Sequence, residues 1–139
     1  MFGTHTHTNT RVTNEMNQNL IKEFTREEVV AALQQMHPTK APSPDGMSTI
    51  FFQKYWNIVG NDVTCMVLNV LNSNMLIADI NRTNIALIPK TKNPTKITEF
   101  RPISLSNVIY KIISKVLANQ LKAILPQIIS ENQSAFLSE

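Results

Sequence analysis

The stretch NIALIPKTKNPTKITEFRPISLSNVIYKIISKVLANQLKAIL, residues 84–125, changes its hydrophobic periodicity twice, and those changes decide the fold. Its opening, Asn84 to Pro89, is a short apolar run bounded by polar turns, which predicts a buried strand. Lys90 to Phe100 is a polar connection with Pro94 inside it, and Arg101 to Leu105 reads as a second strand. Together they predict a hairpin with a long basic tip. Asn107 is then placed to cap the longest helix of the chain. Its apolar stripe is Val108, Ile109, Ile112, Ile113, Val116, Leu117, Leu121, Ile124 and Leu125, until Pro126 interrupts it. Lys111, Lys115 and Lys122 fall mainly off that stripe.

Upstream, the pattern is helical and punctuated by proline. In Phe24-Thr25-Arg26-Glu27-Glu28-Val29, Thr25 can cap the first amides and Glu28 can reach back, with Phe24 and Val29 as a hydrophobic staple. Val29, Val30, Leu33 and Met36 continue one apolar side, so this helix is expected to run to about His37, before Pro38. Lys40 to Gly46 (KAPSPDG) reads as a stiff loop, since prolines fix φ twice and Asp45-Gly46 supplies turn chemistry. Ser48 is expected to start a helix carrying Ile50, Phe51, Tyr55 and Trp56, and Asp62 to cap another carrying Val63, Met66, Val67, Val70 and Leu71. The aromatic cluster follows a helical face and reads as core before it reads as a stacking platform for bases. No internal repeat is visible.

The 139 residues allow one core, and 42% hydrophobic against 17% charged residues describes a chain that folds. Residues 1–19 are polar and threonine-rich and are expected to be a disordered tail, with residues 20–139 the folded part. His5 and His7 lack a third ligand for a metal, and Cys65, being alone, rules out an internal disulfide. No apolar run reaches the length of a membrane span and the start of the chain lacks a signal-peptide core, so an intracellular protein without a membrane partner is expected. The formal charge of +3 is unevenly distributed. Between Ile88 and Lys122 stand seven cations, Lys90, Lys92, Lys96, Arg101, Lys111, Lys115 and Lys122, against the single acid Glu99.

Several separated blocks carry a resemblance. They are KAPSPDG (40–46), FFQKYW (51–56), LIPK (87–90), FRPISL (100–105), Tyr110-Lys111 to Leu121, and ENQSAF (131–136). In this order they resemble the reverse transcriptase of plant LINE-type, non-LTR retrotransposons, and the resemblance covers about residues 20–137. Two departures are visible: the family usually has Gly where Ser43 stands, and after Phe136 it continues with Gly-Arg where this chain reads Leu137-Ser138-Glu139. The resemblance implies a mostly helical α+β fold, a partial reverse-transcriptase fingers region with a short strand pair and a long helix but without the palm active-site strands. It further implies RNA template or an RNA/DNA hybrid and a nucleotide as partners, nuclear action as a retroelement protein, and a palm and thumb supplied by another chain.

The resemblance also assigns residues. Arg101 would be the fingers arginine that meets a nucleotide triphosphate, with Lys90 its partner across the hairpin; a planar guanidinium fork and an ammonium both suit phosphate oxygens. Structural pairing for Arg101 and plain solvation for Lys90 are the competing readings. Lys40, Lys54, Lys92 and Lys96 would contact a template or primer backbone at most. Nucleotide transfer needs metal ions held by carboxylates, and Mg²⁺ is expected only for a complete enzyme. Asp45, Asp62 and Asp79 read as a turn residue, a helix cap and a loop residue, so no catalytic residue and no metal site is expected here. Two other classes of function stay open, a non-catalytic basic nucleic-acid-binding module and a helical remnant with no present function.

Overall fold

In the computed structural model, residues 11–39, 43–73 and 78–129 are described. The fold is α+β: α1 (Asn14–Leu20), α2 (Arg26–Gln35), α3 (Thr49–Lys54), α4 (Trp56–Ser73), β1 (Thr83–Pro89), β2 (Phe100–Ser106), α5 (Val108–Lys122) and α6 (Leu125–Ile128). Residues 24–117 form one compact unit, and the described residues of 11–23 and 118–129 belong to another.

The larger unit starts with the expected capping box. The Glu28 amide donates to Thr25 Oγ1 and the Thr25 amide donates 2.8 Å to the Glu28 carboxylate. Val29, Ala32 and Leu33 of α2 are fully buried, and Phe24 packs on the same core, as a staple requires. That core also takes Phe52 from α3, Val63, Val67 and Val70 from α4, and Val108, Ile112, Ile113 and Val116 from α5. Each fully buried Leu, Val or Ile contributes about 1.5–3 kcal/mol relative to exposure, so the helices hold this unit together. Among the described residues no helix is long and apolar enough to cross a membrane.

Two helices do lie between Ser48 and Ser73, but the break comes at Tyr55 and not at Asp62. Asp62, expected as a cap, is an exposed residue inside α4. Gly60 lies inside the same helix. It is buried in the helix because the Trp56 ring lies over it: a Cβ placed there would meet the ring's Cε2 at 2.7 Å. The glycine is therefore a seat for an aromatic ring, and the helix runs through it.

The strand pair forms as an antiparallel hairpin, with Thr83 opposite Ser106 and Pro89 opposite Phe100. Its first strand was expected to be buried, yet Ile85, Leu87 and Ile88 are 67%, 50% and 45% exposed. Two strands give each other backbone partners but no cover for their faces, and an apolar run by itself does not tell burial from exposure. Asn107 caps α5 as expected, accepting the Tyr110 amide at 2.7 Å, while its amide group donates to the Ile80 carbonyl.

In the smaller unit, part of the polar stretch expected to be a disordered tail is helical. Thr13 caps α1 through the Met16 amide, and Glu15 lies in its first turn, where an acid suits the helix dipole. The Gln120 side chain donates to the Leu20 carbonyl and Arg11 donates to that of Ile128, so side-chain bonds supply what apolar burial does not. The long helix stops at Lys122, four residues before Pro126, whose ring would clash with that carbonyl.

Candidate nucleic-acid interface

Ladder register decides which basic side chains can act together. Arg101 lies opposite Ile88, and the Lys90 amide donates 2.7 Å to the Glu99 carbonyl, carrying the pairing one step further. Because strand side chains alternate, Lys90, Ile88 and Arg101 share one face, and Lys90 and Arg101 are diagonal neighbours across the hairpin. Both are exposed. Such diagonals lie about 7–8 Å apart at Cα, within reach of two long side chains meeting one phosphate group. Arg101 has no hydrogen-bond or ionic partner among the described residues, so none of their carboxylates is paired with it.

Lys90 has a second occupation that the sequence did not reveal. Its ammonium donates 2.9 Å to the Thr98 carbonyl, closing the mouth of the connecting segment. That segment is organised by Glu99, whose carboxylate accepts the Thr95 amide at 2.6 Å and the Lys96 amide at 3.1 Å. The Thr95 bond first and the Lys96 bond second hold the Glu99 carboxyl below its ordinary pKa. The only acid of the basic stretch is thus spent on backbone amides, which leaves Lys92 and Lys96, both exposed, at the tip of a positively charged hairpin.

The other expected backbone contacts are dispersed. Lys54 ends α3, with its ammonium 5.6 Å from the centre of the Tyr55 ring, and belongs to a different element. Lys40 lies outside the described residues, as do His5, His7 and the ENQSAF block. The rest of the KAPSPDG loop is a tight turn: the Gly46 amide donates to the Ser43 carbonyl, the Met47 amide to Asp45 Oδ1, and Gly46 carries φ +77°. Ser43 is buried, and its hydroxyl donates to the Ser106 carbonyl at 3.3 Å, tying the loop to the end of β2.

Asp45 is therefore the turn residue it was read as, and Asp79 lies in a turn, 4.0 Å from Arg82. Among the described residues no three His, Cys, Asp or Glu side chains come together as a metal-binding group.

Sequence reasoning missed a shallow groove. About 400 Å³ in volume, it opens between the end of α2, the start of α3, the end of β2 and one side of α5. Tyr110, Lys111, Ser114 and Lys115 line it from α5, Met36 and His37 from the end of α2. Their spacing off the apolar stripe was legible; the elements facing them were not.

Fold and site define a small α+β unit that displays a basic hairpin beside a helical core. No family model matches the chain. Over 111 residues it is 32% identical to "Transposon TX1 uncharacterized 149 kDa protein" of Xenopus laevis, an alignment covering 80% of this chain. The chain is thus related to a transposon protein, and the alignment spans 8% of that relative's length.

Proposed function

We propose that the chain is the fingers-side part of a reverse transcriptase from a non-LTR retroelement of the LINE type, with the block spelling of plant elements. In this reading it contacts an RNA template or RNA/DNA hybrid, and Lys90 and Arg101 meet the phosphates of the incoming nucleotide. The observation that carries the proposal is the hairpin face shared by Lys90 and Arg101, the latter without a partner among the described residues. Relationship to a transposon protein supports the same reading.

The test is binding of single-stranded RNA followed by fluorescence anisotropy between roughly 50 and 200 mM salt. Dissociation constants on the order of 10⁻⁴ to 10⁻⁶ M at physiological salt are expected for a surface that meets only a few phosphates. Replacing Lys90 and Arg101 together by Ala should weaken binding and flatten the salt slope by about one to two units, because the slope counts neutralised phosphates. Replacing Lys22 and Arg26 should matter less, since Glu23, Glu27 and Glu28 stand beside them. Equal binding by both double variants, or indifference to salt, overturns the assignment.

A second expectation concerns chemistry. Asp45 and Asp79 are held in turns and Asp62 lies exposed on α4, so these three aspartates offer no carboxylate pair for two metal ions. Purified protein given a primed RNA template, magnesium and nucleotides should not extend the primer. Sustained extension that is lost when the aspartates are replaced would refute this.

A further inference from the structure

The groove beside α5 combines three chemistries on one short wall. Lys111 and Lys115 stand one helical turn apart, both half-buried, so their aliphatic stems line the groove and their ammonium groups can meet a common anion at its edge. Tyr110, adjacent on the helix and partly exposed, offers a ring, and Met36 offers a polarizable apolar surface from α2. His37 accepts the Thr39 amide at Nδ1, which leaves Nε2 as its N–H donor, and Ser114 adds a hydroxyl. Among the described residues no carboxylate lines the groove. Its volume, about 400 Å³, stands at the lower end of the roughly 300–1,000 Å³ typical of small-molecule sites, which suits a single base with its sugar and phosphate.

We propose that this groove holds one nucleotide of a single-stranded nucleic acid, with the base against Tyr110 and Met36 and its phosphate at Lys111 and Lys115. A strand is favoured over a free nucleotide because two lysines at an open surface bind one phosphate weakly, whereas along a strand such contacts add to those of the hairpin. A duplex is disfavoured because its bases are stacked away from a side-chain ring. The proposal rests on the reading of the chain as a nucleic-acid-contacting unit, but it uses other residues than the hairpin does.

The experiment uses the full chain with a uridine-rich ten-nucleotide RNA carrying 4-thiouridine, and with a duplex of the same length. Crosslinks mapped by mass spectrometry should fall on Tyr110 or Met36 of the unaltered protein. Tyr110→Ser should lower affinity by roughly five- to a hundredfold, the range for losing one stacked base. Lys115→Gln should flatten the salt slope by about one unit, and Lys115→Arg should restore it. Thermal melts by circular dichroism establish that the variants remain folded, and the crosslinks need no variant at all.

Crosslinks confined to residues 90–101, with Lys115→Gln binding normally, overturn the groove while leaving the hairpin reading standing. Loss of binding in Lys115→Gln with none in the Lys90/Arg101 double variant does the reverse. Duplex bound as tightly as single strand, or displacement of the RNA by uridine monophosphate at equal nucleotide concentration, also overturns the proposal.

Discussion

Glu99 shows how one side chain can set the electrostatics of a segment without facing a cation. Its carboxylate accepts two backbone amides, from Thr95 and Lys96, and these hold its pKa below the ordinary value. A carboxyl whose folded pKa is depressed stabilises the fold above its unfolded pKa, and that contribution disappears as pH falls through the folded value. Acidification into and below the ordinary carboxylate range should therefore loosen the hairpin tip before the helical core. Amide exchange at Thr95 and Lys96, followed by NMR against pH, checks this, and Glu99→Gln should already show faster exchange at neutral pH. Unchanged protection in that variant would refute the role. The acid's identity was plain in the sequence, but its partners were not, because a lone Glu in a lysine-rich stretch reads as an ion-pair partner.

The helix break falls at Tyr55, and α4 runs uninterrupted through Gly60. In an exposed helix interior, Gly→Ala would gain about 1 kcal/mol from propensity. Here the new methyl meets the Trp56 ring at 2.7 Å, and crowding of this kind costs about 1–3 kcal/mol. Gly60→Ala should therefore be neutral to destabilising by up to about 2 kcal/mol, while the same change in a Trp56→Leu background should stabilise relative to that background. Urea denaturation of the four proteins measures the coupling; simple additivity would mean the ring moves freely. Element types were largely legible, since Thr25-Glu28 and Asn107 are caps whose chemistry is local. The Asp62 boundary was misplaced because an acid followed by an apolar stripe looks the same at a helix start and inside one. What separates the two is whether the preceding turn is itself helical, as Trp56 to Asn61 are here, with the Trp56 ring covering Gly60 within that same helix.

Across the whole molecule, the helical core is well covered and the hairpin is not. Ile85 and Leu87 share one face of the ladder, Ile88 and Ile103 the other, and all four are exposed. A two-stranded sheet with free outer edges and apolar faces promotes association between chains. Concentrated protein should self-associate, seen as concentration-dependent light scattering, and Ile85→Lys with Leu87→Thr should reduce it without lowering the melting temperature of the helices. Scattering unaffected by those changes would place the sticky surface elsewhere. Hairpin and candidate cations could be read from residues 84–105, whereas the exposure of both faces could not, since it depends on what packs there.

The bond from Lys90 to the Thr98 carbonyl has a thermodynamic consequence of its own. An ammonium has three donors, and the carbonyl takes one, leaving two for an incoming oxyanion. Restraining a lysine costs up to about 2 kcal/mol of rotamer entropy, and here part of that loss has already occurred on folding. An oxyanion captured at Lys90 would thus be stitched to the hairpin mouth through a single nitrogen. The ligand would stiffen the loop as it binds, and a calorimetric signature in which the side chain contributes little new ordering follows.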